Sequence, residues 1–166
     1  MRHELTERLQ VIDHWPGAAA AAVISGDGEV LARAGSVGQP FQLASVTKVL
    51  VAMACWVAHE EGSLRFDDEL CVDADPEPIV CTTADLLAHC AGLAPEGRQR
   101  LAAVGTKRIY ANAGFEVLGE VLAERTSMSV GQYLHEAVVE PLGLGGTHLT
   151  GSPAHGGVST VEDLAL

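Results

Sequence analysis

The sequence predicts an α+β domain, a β-hairpin followed by a mostly helical region. Two observations carry that expectation. A short alanine-rich run, Ala18 to Ile24, turns back at Asp27-Gly28 into a second run, Glu29 to Gly35. From Ser45 onward, apolar stretches recur at helical spacing between capping residues and glycine stops.

The elements follow in order. Alanine alone favours helix, but the shortness of the Ala18 to Ile24 run and the Asp27-Gly28 turn signal favour two antiparallel strands. From Ser45 to about His59 apolar side chains occupy almost every face after the first turn, so this helix is expected to be buried on all sides, with Gly62 as its stop. Thr82 or Thr83 is expected to cap a helix to about Cys90, followed by Gly92. Asn112 or Ala113 opens another to Arg125, with Phe115, Leu118, Gly119 and Leu122 on one face. Ser129-Val130-Gly131-Gln132 fits a capping box for a helix that stops near Pro141-Leu142-Gly143. Ser159-Thr160-Val161-Glu162 fits another, so a last helix is expected from about Thr160. It reaches Leu166 with an apolar face and no stop signal, which reads as a domain continuing past this chain. The expected organisation is one partial domain over residues 1–166, with an N-terminal helix and the hairpin in 1–40 and the helical region in 41–166.

Composition bounds the function. The 166 residues suit one domain, and an apolar share of 48% supplies a core, although only 4% aromatic residues means that small side chains must fill it. A formal charge of −12 repels the phosphate backbone of nucleic acids and anionic membrane surfaces, so neither is an expected partner. No run approaches the ~18 consecutive apolar residues of a transmembrane helix, and the acidic residues near the start do not fit a signal peptide. A cytoplasmic location is expected. Cys55, Cys71, Cys81 and Cys90 form no C-x-x-C pair, and His89-Cys90 has no second pair at ligand spacing, so neither a metal nor a cofactor is expected.

The chemistry-bearing residues are few. The chain has two lysines, Lys48 and Lys107, and one of them completes Ser45-Val46-Thr47-Lys48. On a first helical turn, residues i and i+3 share a face, so a hydroxyl, an amine and the free amides of a helix N-terminus come together. A serine becomes a good nucleophile when a base takes its proton, and helix amides favour the negative charge that develops on the attacked carbonyl. The plainer reading makes Ser45 an N-cap and Lys48 an exposed first-turn residue that snorkels to water. Tyr110-Ala111-Asn112 is a second element. In an extended segment a phenol and a carboxamide two residues apart face one side, although a capping Asn112 explains half of the pattern.

In order along the chain, Phe41-Gln42-Leu43-Ala44-Ser45-Val46-Thr47-Lys48, Thr83-Ala84-Asp85-Leu86-Leu87-Ala88-His89-Cys90-Ala91-Gly92-Leu93, Tyr110-Ala111-Asn112-Ala113-Gly114-Phe115, Pro141-Leu142-Gly143-Leu144 and Gly156-Gly157-Val158-Ser159-Thr160 make up a pattern. This pattern resembles the serine β-lactamase and penicillin-binding-protein superfamily, especially its class C β-lactamase, DD-peptidase and esterase branch. The resemblance implies a β-lactamase/transpeptidase-like fold and an acyl-enzyme mechanism. It implies Ser45 as nucleophile, Lys48 as its proton acceptor, Tyr110 as the base and later acid, and Asn112 as a substrate-positioning residue. The implied substrate is a small-molecule ester, amide or β-lactam, with esterase-like activity favoured.

One family feature has no match. The third motif, Lys-Thr-Gly or His-x-Gly on a sheet strand, is not found: His155-Gly156-Gly157 is expected to lead into a capped helix, and Gly105-Thr106-Lys107 runs in reverse. The resemblance therefore implies a C-terminally truncated member without the C-terminal strands, one of which supplies a second oxyanion amide. The hairpin is then expected to keep an unpaired edge and an uncovered apolar face. A complementary C-terminal chain, or self-association through that exposed sheet, is an expected partner. The alternative function is a catalytically incompetent fragment, or one part of a two-chain assembly.

Overall fold

The computed structural model describes residues 2–166. Helix α1 (Arg2–Leu9) and a 3-10 turn (Gln10–His14) precede the hairpin of β1 (Ala20–Ile24) and β2 (Val30–Gly35). The two strands pair antiparallel from Ala20↔Gly35 to Ile24↔Val30, with a bulge between Val23 and Ile24. Alanine is confined to strand here because Gly17 and the Ser25-to-Glu29 turn, closed by Ser25 N–H to Glu29 O at 2.9 Å, leave no room for helical turns.

A 3-10 turn (Ala44–Val46) then leads into α2 (Thr47–Glu60), which Gly62 stops with a positive φ of 79° and an N–H bond to the His59 carbonyl. Strands β4 (Glu69–Val72) and β5 (Ile79–Thr82) form a separate ribbon, and α3 (Thr83–Leu87) follows directly. Thr82 caps α3 through a reciprocal box with Asp85. The long α4 (Asn112–Thr126) comes next. Helix α5 (Val130–Leu134), a π turn (His135–Val139) and α6 (Glu140–Leu142) then form one continuous run. Short strands β3 (Phe41–Gln42), β7 (Gly157–Ser159) and β6 (His148–Leu149) make a third sheet in that order, and α7 (Val161–Leu164) ends the chain.

The core lies between α2, α3, α4 and the α5–α6 run. Its fully covered members include Val51, Ala54, Cys55, Ala58, Leu64, Leu86, Leu118, Leu122 and Leu134. Three small residues on α2, Ala54, Cys55 and Ala58, allow close helix approach, as the low aromatic content requires. Burial pushes the Cys55 thiol up to about 12 and the Cys81 thiol up to about 11, so both remain protonated packing groups.

The structure corrects several expectations. Helix α2 is not buried on all sides: Val49, Met53 and Trp56 form an exposed apolar face, with Trp56 57% exposed. The first turn of α2 begins at Thr47, so Ser45 sits in the preceding 3-10 turn and caps nothing. Helix α3 ends at Leu87 and not near Cys90. Asn112 is not a cap either. Ala111 holds that position, and the Asn112 side chain is used elsewhere. At Ser129 only the forward half of the box forms, because Gln132 turns its amide to Glu136.

The last helix is capped by Thr160, whose Oγ1 accepts from Asp163 N–H at 3.0 Å. Ser159 stays extended as the end of β7, and its buried hydroxyl pairs with Thr147 at 2.7 Å. Gly156-Gly157 therefore leads into a strand before the helix begins. Both Ser159 and Thr160 have an acid three residues on, and sheet pairing decided between them.

Strand β7 is held against α2 at one point. The Gly157 N–H donates to Thr47 Oγ1 at 2.9 Å, and a Cβ on Gly157 would lie 2.7 Å from the same oxygen. Substituting Gly157→Ala is expected to lower stability by about 1–3 kcal/mol through overpacking, read as a lower denaturant midpoint with unchanged slope.

Candidate active site

The amine of Lys48 is the centre of the site. Its first-turn position on α2 points it under Ser45, and 6% of the residue is exposed. Nζ lies 3.1 Å from Ser45 Oγ, 2.7 Å from Asn112 Oδ1 and 2.9 Å from the Ala154 carbonyl oxygen. The two carbonyl-type oxygens only accept, so they fix two N–H directions of the amine. The third direction faces the serine hydroxyl. The four groups come from four separate places, the 3-10 turn, α2, the start of α4 and the loop before β7.

Ser45 itself is exposed, next to a residue in an uncommon conformation. Ala44 has a φ of 46°, in the left-handed region that alanine rarely adopts. Such strain persists where the surroundings over-determine it. Here the Leu43 N–H bond to the Gly157 carbonyl, at 2.9 Å, fixes the chain just before the turn.

Tyr110 reaches the same place from the extended segment before α4. Its ring lies over Lys48 Nζ at 4.8 Å, and its phenol is held below the ordinary value of 10.0, first by the Ser45 hydroxyl and then by Lys48. The chain's other tyrosine, Tyr133, donates to Glu61 at 2.8 Å, and burial with that carboxylate pushes its phenol up. Two separate phenol titrations are therefore expected. The lower belongs to Tyr110, and Ser45→Ala should move it upward while leaving the upper one in place. Phenolate ultraviolet absorbance against pH checks this.

The Asn112 carboxamide is oriented from both ends. Its Oδ1 accepts from Lys48, its Nδ2 donates to Glu96 at 2.6 Å, and its backbone N–H donates to the Pro95 carbonyl at 2.8 Å. Ser45, Lys48, Tyr110 and Asn112 thus converge on one exposed edge of the helical core.

The chain matches the beta-lactamase family over residues 6–165. It belongs to the beta-lactamase family. A beta-lactamase from Mycobacterium bovis shares 45% identity with it, at a TM-score of 0.82 over 95% of this chain and 57% of that one. EstCE1, a hydrolase with promiscuous acyltransferase activity, shares 16% identity at a TM-score of 0.80, over 98% of this chain and 69% of that one. The octameric penicillin-binding protein homologue from Pyrococcus abyssi shares 19% at 0.74, over 99% and 54%. The last two show the fold alone. No curated protein matches. This beta-lactamase-family chain spans a little over half the length of its Mycobacterium bovis relative, and it has the expected β-lactamase/transpeptidase-like fold.

Three groups of the site were not found in the sequence. Glu96 lies in an irregular loop, where no periodicity marks it. The Ala154 contact is made by a backbone carbonyl, which any residue supplies. His89, whose Nδ1 accepts from the Ala111 N–H at 3.2 Å, stood out beside Cys90 as a metal-ligand pair and within the Thr83-to-Leu93 stretch of the resemblance, in neither case with a role at the site. No helix among the described residues is long and apolar enough to cross a membrane, and no group of three or more metal-ligating side chains occurs among them.

Proposed function

We propose that this chain carries the nucleophile-bearing part of a serine hydrolase that acts on a small ester or amide through an acyl-enzyme. The observation that supports it is the single cluster in which Ser45, the buried Lys48 amine, the lowered phenol of Tyr110 and the Asn112 amide meet.

Ser45 Oγ attacks the substrate carbonyl carbon, and its proton passes to the Tyr110 oxygen in its deprotonated form, which the Ser45 hydroxyl and Lys48 favour. The Lys48 ammonium, already donating to Ser45 Oγ, stabilises the charge that gathers there. In its neutral form Lys48 can instead take the Ser45 proton itself, keeping two N–H groups on Asn112 Oδ1 and the Ala154 carbonyl while its lone pair faces the hydroxyl. The carbonyl–leaving-group bond then breaks, and Tyr110 returns the proton to the departing oxygen or nitrogen. Water repeats the sequence on the acyl-serine, releasing the acid and restoring Ser45. Asn112, held by Glu96, presents its amide at the same edge.

Esterase-like activity is the favoured form. An alkoxide leaving group needs less proton assistance than an amine, so an ester makes fewer demands on proton transfer at this site. The test incubates the chain with an activated aryl ester and, separately, a fluorescent penicillin. Faster ester turnover than penicillin labelling supports the reading; penicillin labelling with no ester turnover contradicts it.

A second reading has its own observation. Val49, Met53, Trp56, Leu142, Leu164 and Leu166 are all exposed, around grooves of about 280 and 490 Å³. Apolar area of this kind marks an interaction surface. It favours a two-part assembly, in which a complementary chain or a second copy covers the outer face of α2. Concentration-dependent mass by light scattering tests self-association directly.

A further inference from the structure

We propose that His89 is a positioning residue for Tyr110, clamping the backbone on both sides of the phenol while its ring packs against the phenol ring; the proposal rests on the serine-hydrolase reading above. Two hydrogen bonds make the clamp. The His89 carbonyl accepts from the Ile109 N–H at 2.8 Å, and the His89 Nδ1 accepts from the Ala111 N–H at 3.2 Å. Ile109 and Ala111 are the two neighbours of Tyr110, so one residue fixes the chain before and after it.

The ring completes the arrangement. Its centroid lies 4.6 Å from that of Tyr110 and 5.4 Å from that of Phe115 on α4, and His89 is buried. The backbone of His89 takes a φ of 59°, which turns both the carbonyl and the ring toward residues 109 to 111. A non-glycine residue held there signals a position determined by its contacts.

For Nδ1 to accept, the imidazole must be neutral with its proton on Nε2. The surroundings favour the neutral ring. Burial first, then the charges of Lys48 on α2 and Arg108 on the adjoining segment, hold His89 below the ordinary histidine range. The third titratable group facing it is Tyr110 itself, and the α4 side is the apolar Phe115.

The test compares two amides. In His89→Asn the side-chain oxygen falls near the Nδ1 position, whereas in His89→Gln it reaches toward Nε2 and misses the Ala111 N–H. Both variants are measured by phenol titration and by the rate of Ser45 acylation with an activated aryl ester. His89→Gln is expected to raise the Tyr110 titration toward that of a free phenol and to slow acylation about 10-fold or more, with KM little changed. His89→Asn should stay close to wild type in both. A shared folding defect would lower both variants together, so Asn losing as much as Gln overturns the proposal, as does Gln behaving like wild type. The titration needs no turnover: absent acylation in the wild type would remove the hydrolase reading while the phenol shift still decides the clamp.

Discussion

Substituting Ser45→Ala is expected to lower kcat/KM for an activated aryl ester by about 10⁴-fold or more, the scale at which loss of a serine nucleophile acts. The effect should fall on kcat, because the hydroxyl forms a bond only during reaction. The fold should be unaffected. Ser45 is exposed and its backbone does not depend on the side chain, so the melting temperature is expected to stay close to wild type. The lower phenol titration, by contrast, should rise, since Ser45 is the largest influence holding Tyr110 down. Activity and phenol moving together, with stability unchanged, would separate a nucleophile from a packing residue.

Substituting Lys48→Met is expected to act on both activity and stability. Methionine fills the buried volume but gives no donor to Asn112 Oδ1 or to the Ala154 carbonyl, each now within 2.9 Å of the amine. An orphaned buried acceptor costs about 1–3 kcal/mol, offset in part by no longer burying a charge. Rate should fall by about 10²- to 10⁴-fold, as for loss of a group that moves or stabilises the transferring proton. The Tyr110 titration should again rise, because Lys48 is also among the groups that lower it. Steady-state kinetics and a denaturation curve on the same preparation check the two effects.

How much of this was legible in the sequence depends on the length and regularity of each element. The hairpin at Asp27-Gly28, the α2 stop at Gly62 and the α4 run from Asn112 were readable, because turn chemistry and periodicity act locally. Strands β3, β6 and β7 were not. They span two or three residues, too few to display alternation, and they form because distant segments meet. The exposed face of α2 was read as core for a related reason. Val49, Met53 and Trp56 are apolar, and composition does not tell which neighbour covers them.

The site divides the same way. Ser45 and Lys48 were marked by local spacing, and Tyr110 and Asn112 by alternation in an extended segment. Asn112 looked equally like a cap until its carboxamide was placed between Lys48 and Glu96. The contributions of Glu96, His89 and the Ala154 carbonyl are tertiary. Each lies in a segment without repeat or regular structure, and two of the contacts use backbone atoms.

The central claim is that Ser45 becomes acylated, and the most direct measurement is intact mass of the chain after mixing with an activated aryl ester, followed by peptide mapping. A single acyl addition on the peptide containing Ser45, forming and decaying with time and absent from Ser45→Ala, is the predicted result. An adduct of equal size in wild type and Ser45→Ala, or one mapped to another residue, would contradict it.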